Sequence, residues 1–243
     1  KELIEILESS PSYLQTCKVR ISRTINDDSS NNNNILLKKH IIKKIQKEDN
    51  EALNDLLIWI YLQENDFSSA LERLISLDKR LEYYDNKIFE LGEISCSNKE
   101  FEIAQSAFNY LVKKGESSIY YEESIIQLVN IKNVKFKENI TKSEKEIEQI
   151  IKEHEKVIKL LGKTDETILV LRDLAHIMSF HKNNKEKAKK ILLPIIENDN
   201  FSDYNIAQLK LELGDIFLSE GNKWDAILYY SQVEKKFKND IIG

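Results

Sequence analysis

The scarcity of glycine and proline restricts the fold of this chain more than any other feature of its sequence. Only 6 Gly and 2 Pro occur among the 243 residues. A β-sandwich or β-barrel of this length needs many tight turns, and such turns favour Gly, Pro, Asn and Asp. A doubly wound α/β protein needs Gly in its phosphate-binding loop and at its helix ends. We therefore predict an all-α protein, in which long helices are joined by short polar turns.

Charge and hydropathy exclude two further classes of protein. The formal net charge is −5 at pH 7. Because nucleic-acid-binding proteins carry clustered positive charge, we expect no nucleic-acid partner. No apolar run reaches the ~18 residues of a membrane span, and the mean hydropathy of −0.45 agrees with that. We expect no direct membrane span.

The two cysteines, Cys17 and Cys96, lie far apart in the sequence and match no metal-binding spacing. We interpret them as unpaired small core residues, and a disulfide between them is the alternative. The sequence starts at Lys1 without a Met and ends at Gly243. We interpret it as a segment excised from a longer protein, so the lack of a targeting signal carries little information.

Residues 1–50 are predicted to form N-terminal helices around a polar loop. Residues 26–34 consist of Asn, Asp and Ser alone. Such a tract has no apolar side chain to bury, so we predict a mobile loop there. Apolar residues with helical spacing precede the tract and resume at Ile35.

From residue 51 onwards the sequence is periodic. A small residue is followed by apolar residues four and seven positions later, which form one stripe of a helix, and is preceded by a polar turn. Four such sets begin at Ala70, Ala104, Ala188 and Ala226. The first two are 34 positions apart. A recurring spacing of this length indicates a repeated helical hairpin.

These residues resemble the tetratricopeptide repeat, which has Leu-Gly and an aromatic residue in its first helix, Gly at the turn, and Ala followed by an aromatic residue in its second helix. The best match is residues 207–240, and weaker matches are 85–118, 51–84 and about 168–201, the last with one extra residue in its turn. The residues that match in the first of these are Leu213, Gly214, Phe217, Gly221, Ala226 and Tyr230.

The resemblance implies a right-handed superhelical solenoid of antiparallel helix hairpins over residues 1–243. Two units would occupy residues 51–118 and two further units residues 165–243, because one hairpin cannot cover its own apolar face. Between them, residues 119–164 are predicted to form a longer, degenerate hairpin. Its second helix is expected from Thr141 to Leu161, with a capping box formed by the Ser and Glu at positions 143 and 146.

The order of segments is similar to that of long tetratricopeptide repeat proteins of Bacteroidetes bacteria. The stretches that carry this likeness are residues 211–216 and 229–235. The resemblance implies a location in the cell envelope or periplasm, and the residues themselves leave the cytoplasm open.

Fragments that suggest catalysis are incomplete. Gly162-Lys163-Thr164 resembles the end of a phosphate-binding loop, but Val157 replaces the required Gly. His176 and His181 are five positions apart, a spacing that does not place both on one face of an α-helix, and no zinc-binding His-Glu-x-x-His motif occurs. We therefore predict that the protein is not an enzyme and uses no cofactor and no metal ion.

The resemblance implies instead a concave groove that binds a protein or peptide partner of unknown identity. Trp59 and Phe89 would anchor an apolar or amphipathic segment, and burial between repeats is the alternative for each. The preferred function is a protein–protein interaction scaffold; the alternative is a structural spacer or self-assembly segment of a larger cell-envelope protein. The predicted partner-binding residues are Asp55, Trp59, Leu62, Phe89, Glu93, Arg172, His176, Phe180, Leu211 and Asp215.

Overall fold

The protein is all-α, as the sequence predicts. The computed structural model describes residues 2–23, 32–198, 200–238 and 240–241, and throughout these ranges the regular secondary structure is helical. In this part of the chain, no helix combines the length and the apolar character needed to cross a membrane. The chain divides into two compact units, residues 1–120 and residues 121–243.

The first unit consists of an N-terminal group of helices and two hairpins. Helices α1, α2 and α3 all pack against α4, and α4–α5 and α6–α7 form the hairpins. Cys17 is buried and Cys96 half-buried, both are free thiols, and burial raises the pKa of each. The helices are α1 (Glu2–Ser9), α2 (Leu14–Ser22), α3 (Asn32–Lys47), α4 (Glu51–Gln63), α5 (Phe67–Leu81), α6 (Asp85–Ser97) and α7 (Phe101–Lys114).

The predicted polar loop at residues 26–34 is wrong at its C-terminal end. Asn32 begins helix α3, and Asn34 is only 1% exposed. Residues 26–31 lie outside the described residues. The apolar stripe of α3, which includes Leu37 and the fully buried Ile41, packs into the same core cluster as α4. This tertiary burial outweighs the weak helix propensity of asparagine.

In the second unit, three hairpins share one apolar core, to which α8, α9, α10, α11 and α12 all contribute side chains. A π-helical turn, Ile177–His181, continues α10. The helices are α8 (Tyr121–Glu138), α9 (Glu144–Leu161), α10 (Ile168–His176), α11 (Lys185–Ile196), α12 (Asp203–Ser219) and α13 (Lys223–Lys236).

Helix α9 begins three residues later than expected, at Glu144, and ends as predicted at Leu161. The Ser143 hydroxyl accepts a hydrogen bond from the backbone N–H of Glu146, and the Glu146 carboxylate accepts one from the backbone N–H of Ser143 at 2.8 Å. This capping box satisfies two backbone donors that the helix itself leaves free, and so it fixes the helix start.

In two of the hairpins, a glycine of the first helix lies directly against an aromatic ring of the second helix. A Cβ atom added to Gly92 would lie 2.6 Å from the Phe108 ring, and one added to Gly214 would lie 2.5 Å from the Tyr230 ring. Both distances are far shorter than van der Waals contact. The Gly of the first helix and the aromatic residue of the second are therefore direct packing partners, which explains why both belong to the repeated pattern.

The extra residue of the 168–201 hairpin lies in the helix rather than in the turn. In the other three hairpins that match the repeat, the Leu of the first helix and the Ala of the second are thirteen positions apart. In this hairpin, Leu174 and Ala188 are fourteen positions apart. The π-helical turn Ile177–His181 takes up this residue, because its hydrogen bonds join residues five positions apart. The backbone N–H of Lys182 donates to the carbonyl oxygen of Ile177 at 3.0 Å.

Candidate functional site

An open cleft of about 290 Å³ lies on the second unit, lined by residues from α8, α10 and α12. On α10, Arg172 and His176 are four positions apart, and on α12 Gln208, Leu211 and Asp215 are three and four positions apart. Each set therefore projects from one face of its helix. The complete lining is Lys137, Arg172, Asp173, His176, Gln208, Leu211, Glu212 and Asp215.

Asp173 is the central carboxylate of the cleft, and it is only 8% exposed. Its Oδ1 lies 3.3 Å from Lys137 Nζ and 3.2 Å from Arg172 Nη2, and its Oδ2 accepts a hydrogen bond from Asn133. A buried carboxylate is costly unless it is paired and hydrogen-bonded. Asp173 meets both conditions, and through these contacts it positions the cationic groups of Lys137 and Arg172.

Two contacts join α10 to α12 across the cleft. Arg172 Nη1 donates to Gln208 Oε1 at 2.8 Å, and His176 Nδ1 lies 3.1 Å from Glu212 Oε1. Both pairs are 36 positions apart, close to one repeat length. The His176–Glu212 contact thus lies one helical turn beyond the Arg172–Gln208 contact. Together the two contacts fix the side chains of Arg172 and His176.

The accessible polar groups of the cleft include the side chains of Lys137, Arg172 and His176 and, at the rim, the carboxylate of Asp215. The Lys137, His176 and Arg172 side chains are 49%, 38% and 26% exposed, whereas the side chains of Asp173 and Glu212 are 10% and 9% exposed. Arg172 uses two of its five N–H donors in the bonds described above. The exposed parts of Lys137 and Arg172 can donate to carboxylate or carbonyl oxygens of a ligand, and Asp215 can accept from its N–H groups.

Asp215 lies exposed at the rim of the cleft. Its Oδ1 accepts a hydrogen bond from the Tyr230 hydroxyl at 2.6 Å. Burial and this bond raise the pKa of Tyr230 to about 12. Tyr230 therefore stays a donor at every physiological pH and holds the Asp215 carboxylate against α13.

Aromatic rings continue the surface beyond His176. The His176 ring lies 4.7 Å from the ring of Phe180, which is 40% exposed, and 6.1 Å from that of His181. The prediction that His176 and His181 do not share a helix face is wrong, because the π-helical turn brings residues five positions apart into line. Burial, Lys142 and His176 lower the pKa of His181.

In the first unit, four of the five predicted residues keep some solvent exposure. Asp55 is half-buried and bonded to Lys87 Nζ at 2.6 Å, and Glu93 is exposed. Trp59 and Leu62 are half-buried, and Trp59 packs against the core that α1, α2, α3 and α4 share. Much of the Trp59 ring is therefore engaged within the unit.

Phe89 is a packing residue. It is 9% exposed and lies between two aromatic rings, with centroid distances of 5.4 Å to Phe108 and 4.7 Å to Tyr120. Of the two interpretations that its sequence position allowed, burial between repeats is the one that matches this environment.

Sequence reasoning missed four of the lining residues: Lys137, Asp173, Gln208 and Glu212. Lys137 belongs to the degenerate hairpin, where no repeat register could be read. The other three carry a usable signal. Gln208 and Glu212 stand three positions before the predicted residues Leu211 and Asp215, which is a spacing on one helix face. Asp173 directly follows Arg172. Among the described residues, no group of three or more His, Cys, Asp or Glu side chains could hold a metal ion.

No model of a known protein family matches this chain, and no curated protein matches it. Among solved structures, it is similar to a tetratricopeptide repeat protein from Parabacteroides merdae ATCC 43184. The two share 12% sequence identity with a TM-score of 0.46, over 99% of this chain and 86% of the other. This likeness indicates no partner and no activity.

Proposed function

We propose that the protein is a non-enzymatic interaction module that binds a segment of a partner protein in the cleft of the second unit. The observation that supports this is the convergence of four predicted groove residues, Arg172, His176, Leu211 and Asp215, on one cleft. They come from two different hairpins. A shared cleft is what a solenoid uses to present side chains from successive repeats to one ligand.

The arrangement suits a short stretch of polypeptide better than a small metabolite. The cleft is open and slightly smaller than the ~300 Å³ at the lower end of typical small-molecule pockets. Arg172 and Lys137 are held in place by Asp173, so little side-chain freedom is lost when a partner binds. Leu211 supplies an apolar contact between the polar groups.

Site-specific photo-crosslinking tests this proposal. A photoreactive amino acid at position 211 should capture a partner in host extract, and the capture should fall when Arg172→Ala and His176→Ala are added. The matched control carries the photoreactive residue at Leu160, which is 54% exposed on α9 of the same unit. Equal capture from both positions, or capture that the double substitution leaves unchanged, would contradict the proposal.

The alternative function, a self-assembly segment, is favoured by one specific observation. The last helix, α13, exposes large apolar side chains on the face opposite the core. This surface is separate from the cleft lining, so the two functions are compatible and can be tested independently.

A further inference from the structure

An exposed apolar stripe runs along α13. Trp224 is 85% exposed, Ile227 54% and Leu228 52%, and these residues stand at positions i, i+3 and i+4, on one face of the helix. The opposite face carries Ala226 and Val233, which are 1% and 2% exposed. A helix that is apolar on both faces is normally buried on both.

The stripe departs from the other hairpins at defined positions. Trp224 and Leu228 stand two positions before and two positions after Ala226, the small residue of the repeat. At these positions the second helices of the other three hairpins that match the repeat, α5, α7 and α11, carry exposed polar side chains, namely Ser68, Glu72, Glu102, Ser106, Glu186 and Lys190. The apolar character is therefore specific to α13 and is not a property of the repeat.

Packing between successive hairpins does not account for the stripe either. In α5, the residue one position after the small residue is Leu71, which the unit buries to 5% exposure. Ile227 holds this position in α13, whereas Trp224 and Leu228 hold positions that stay exposed when another hairpin follows. A different kind of neighbour is needed to cover them.

The charges beside the stripe indicate what that neighbour is. Lys223 and Glu234 are eleven positions apart, as are Asp225 and Lys236. At 3.6 residues per turn, a separation of eleven residues is three full turns to within about 20°. The two members of each pair therefore lie on the same side of the stripe. They are about 16 Å apart along the helix. Each side thus carries opposite charges at its two ends.

We propose that α13 pairs in antiparallel orientation with α13 of a second copy of this chain. In a two-fold symmetric pair, each side of the stripe meets the same side of the other copy in reverse. With the two-fold axis at the middle of α13, Lys223 and Glu234 of the second copy are offset by only about 3 Å along the helix, as are Asp225 and Lys236, so the lysine side chains can reach the carboxylates. In a parallel two-fold pair, opposite sides of the two stripes meet, so Lys223 would lie beside Asp225 of the second copy and Glu234 beside Lys236. Reversing the charges of Lys223 and Glu234 together preserves the attraction only in the antiparallel pair.

The apolar contacts fit the same arrangement. With the two-fold axis near the middle of the helix, Leu228 packs close to Leu228 of the second copy. Trp224 lies over the aliphatic part of Lys235 of that copy, with its ammonium group near the indole. Lys236 also contacts Asp203 of its own chain, so the Lys223–Glu234 pair offers the cleaner test.

Light scattering coupled to size-exclusion chromatography of the 243-residue chain tests the interface. We expect a concentration-dependent dimer, and we expect the Trp224→Glu, Leu228→Glu variant to remain monomeric at concentrations at least tenfold higher. Ile140→Glu is the matched control, because Ile140 is 96% exposed elsewhere in the same unit, and it should dimerise like the parent chain. Circular dichroism confirms that each variant is folded. A parent chain that stays monomeric at 1 mM would overturn the proposal.

Charge reversal tests the orientation. Lys223→Glu and Glu234→Lys should each weaken the dimer about three- to tenfold, since each turns two attractive contacts into repulsive ones. The double variant should recover the parent affinity. A dimer that both single variants leave unchanged, or that the double variant fails to restore, would refute antiparallel pairing. Capture at position 211 should survive Trp224→Glu, which separates this proposal from the proposed function.

Discussion

The Nδ1 atom of His154 lies 2.8 Å from the backbone carbonyl oxygen of Ile150. A carbonyl oxygen only accepts, so Nδ1 carries the proton and Nε2 is left as an acceptor, buried and without a protein partner. The residue is 1% exposed, and burial lowers its pKa although the carboxylates of Asp173 and Glu153 act in the opposite direction. Burial therefore favours the neutral imidazole in the folded unit.

This preference predicts that acid destabilises the protein. Because the pKa of His154 is lower in the folded chain than the ordinary 6.5, the unfolded chain binds protons first, and stability falls as the pH drops below 6.5. One such group accounts for at most about 1.4 kcal/mol per pH unit. Urea unfolding between pH 5 and pH 8 measures the slope, which should be smaller in His154→Gln. Part of the pH dependence should remain in this variant, because the pKa of His181 is also lowered. A slope that His154→Gln leaves unchanged would exclude this role.

Gly214→Ala should lower the free energy of unfolding by about 1–3 kcal/mol, because the new methyl group overlaps the Tyr230 ring. Chemical denaturation gives the value. In the background of Tyr230→Leu, the same substitution should cost less, since the smaller side chain can give way. Equal costs in both backgrounds would show that the ring contact is not the cause.

Asp173→Ala should cost about 1–3 kcal/mol, since it leaves the buried Asn133 amide without its acceptor and removes the partner of Lys137 and Arg172. The comparison is Asp49→Ala, which removes an ion pair with Arg80 in which both side chains are 47% exposed. An exposed pair of this kind contributes under about 1 kcal/mol. Thermal unfolding of the two variants should rank them clearly, and similar losses would mean that the cleft carboxylate is not held as the structure indicates.

Phe89→Ala should destabilise the protein by about 3–5 kcal/mol, because it removes a ring that packs between Phe108 and Tyr120. Tyr13→Ala, at a position that is 50% exposed, should change stability by under about 1 kcal/mol. Circular dichroism during heating distinguishes the two. A stable Phe89→Ala chain would return this residue to the group of possible partner contacts.

The hairpins were predictable from the sequence because their signal is local. Ala104 with Phe108, and Ala226 with Tyr230, form stripes whose spacing is set by the helix itself. Asn32 and Asn34 gave the opposite signal, since only the contact of α3 with α4 makes them helical. The amino-acid composition of residues 26–34 does not indicate that α3 contacts α4.

The candidate site was predictable only in part. Arg172 and Leu211 follow from the repeat register, which fixes the exposed face of each first helix. Phe89 holds an equivalent position, yet Tyr120, 31 residues further along, covers it. Lys137 enters the cleft from a hairpin whose sequence shows no register. The burial of Phe89 and the position of Lys137 both depend on tertiary contacts between segments that are distant in the sequence. A single sequence does not specify such contacts.

The π-helical turn has a consequence for how this chain can change length. An inserted residue in an α-helix normally rotates everything after it by about 100°, which would turn Ala188 out of the core. Here the widened turn absorbs the insertion, and Ala188 remains fully buried. Deletion of one residue within positions 178–180 of this turn should therefore restore a regular α-helix, keep Ala188 in the core, and leave His176 and His181 four positions apart on one face. The length of this helix should thus be able to change by one residue while the core packing is kept.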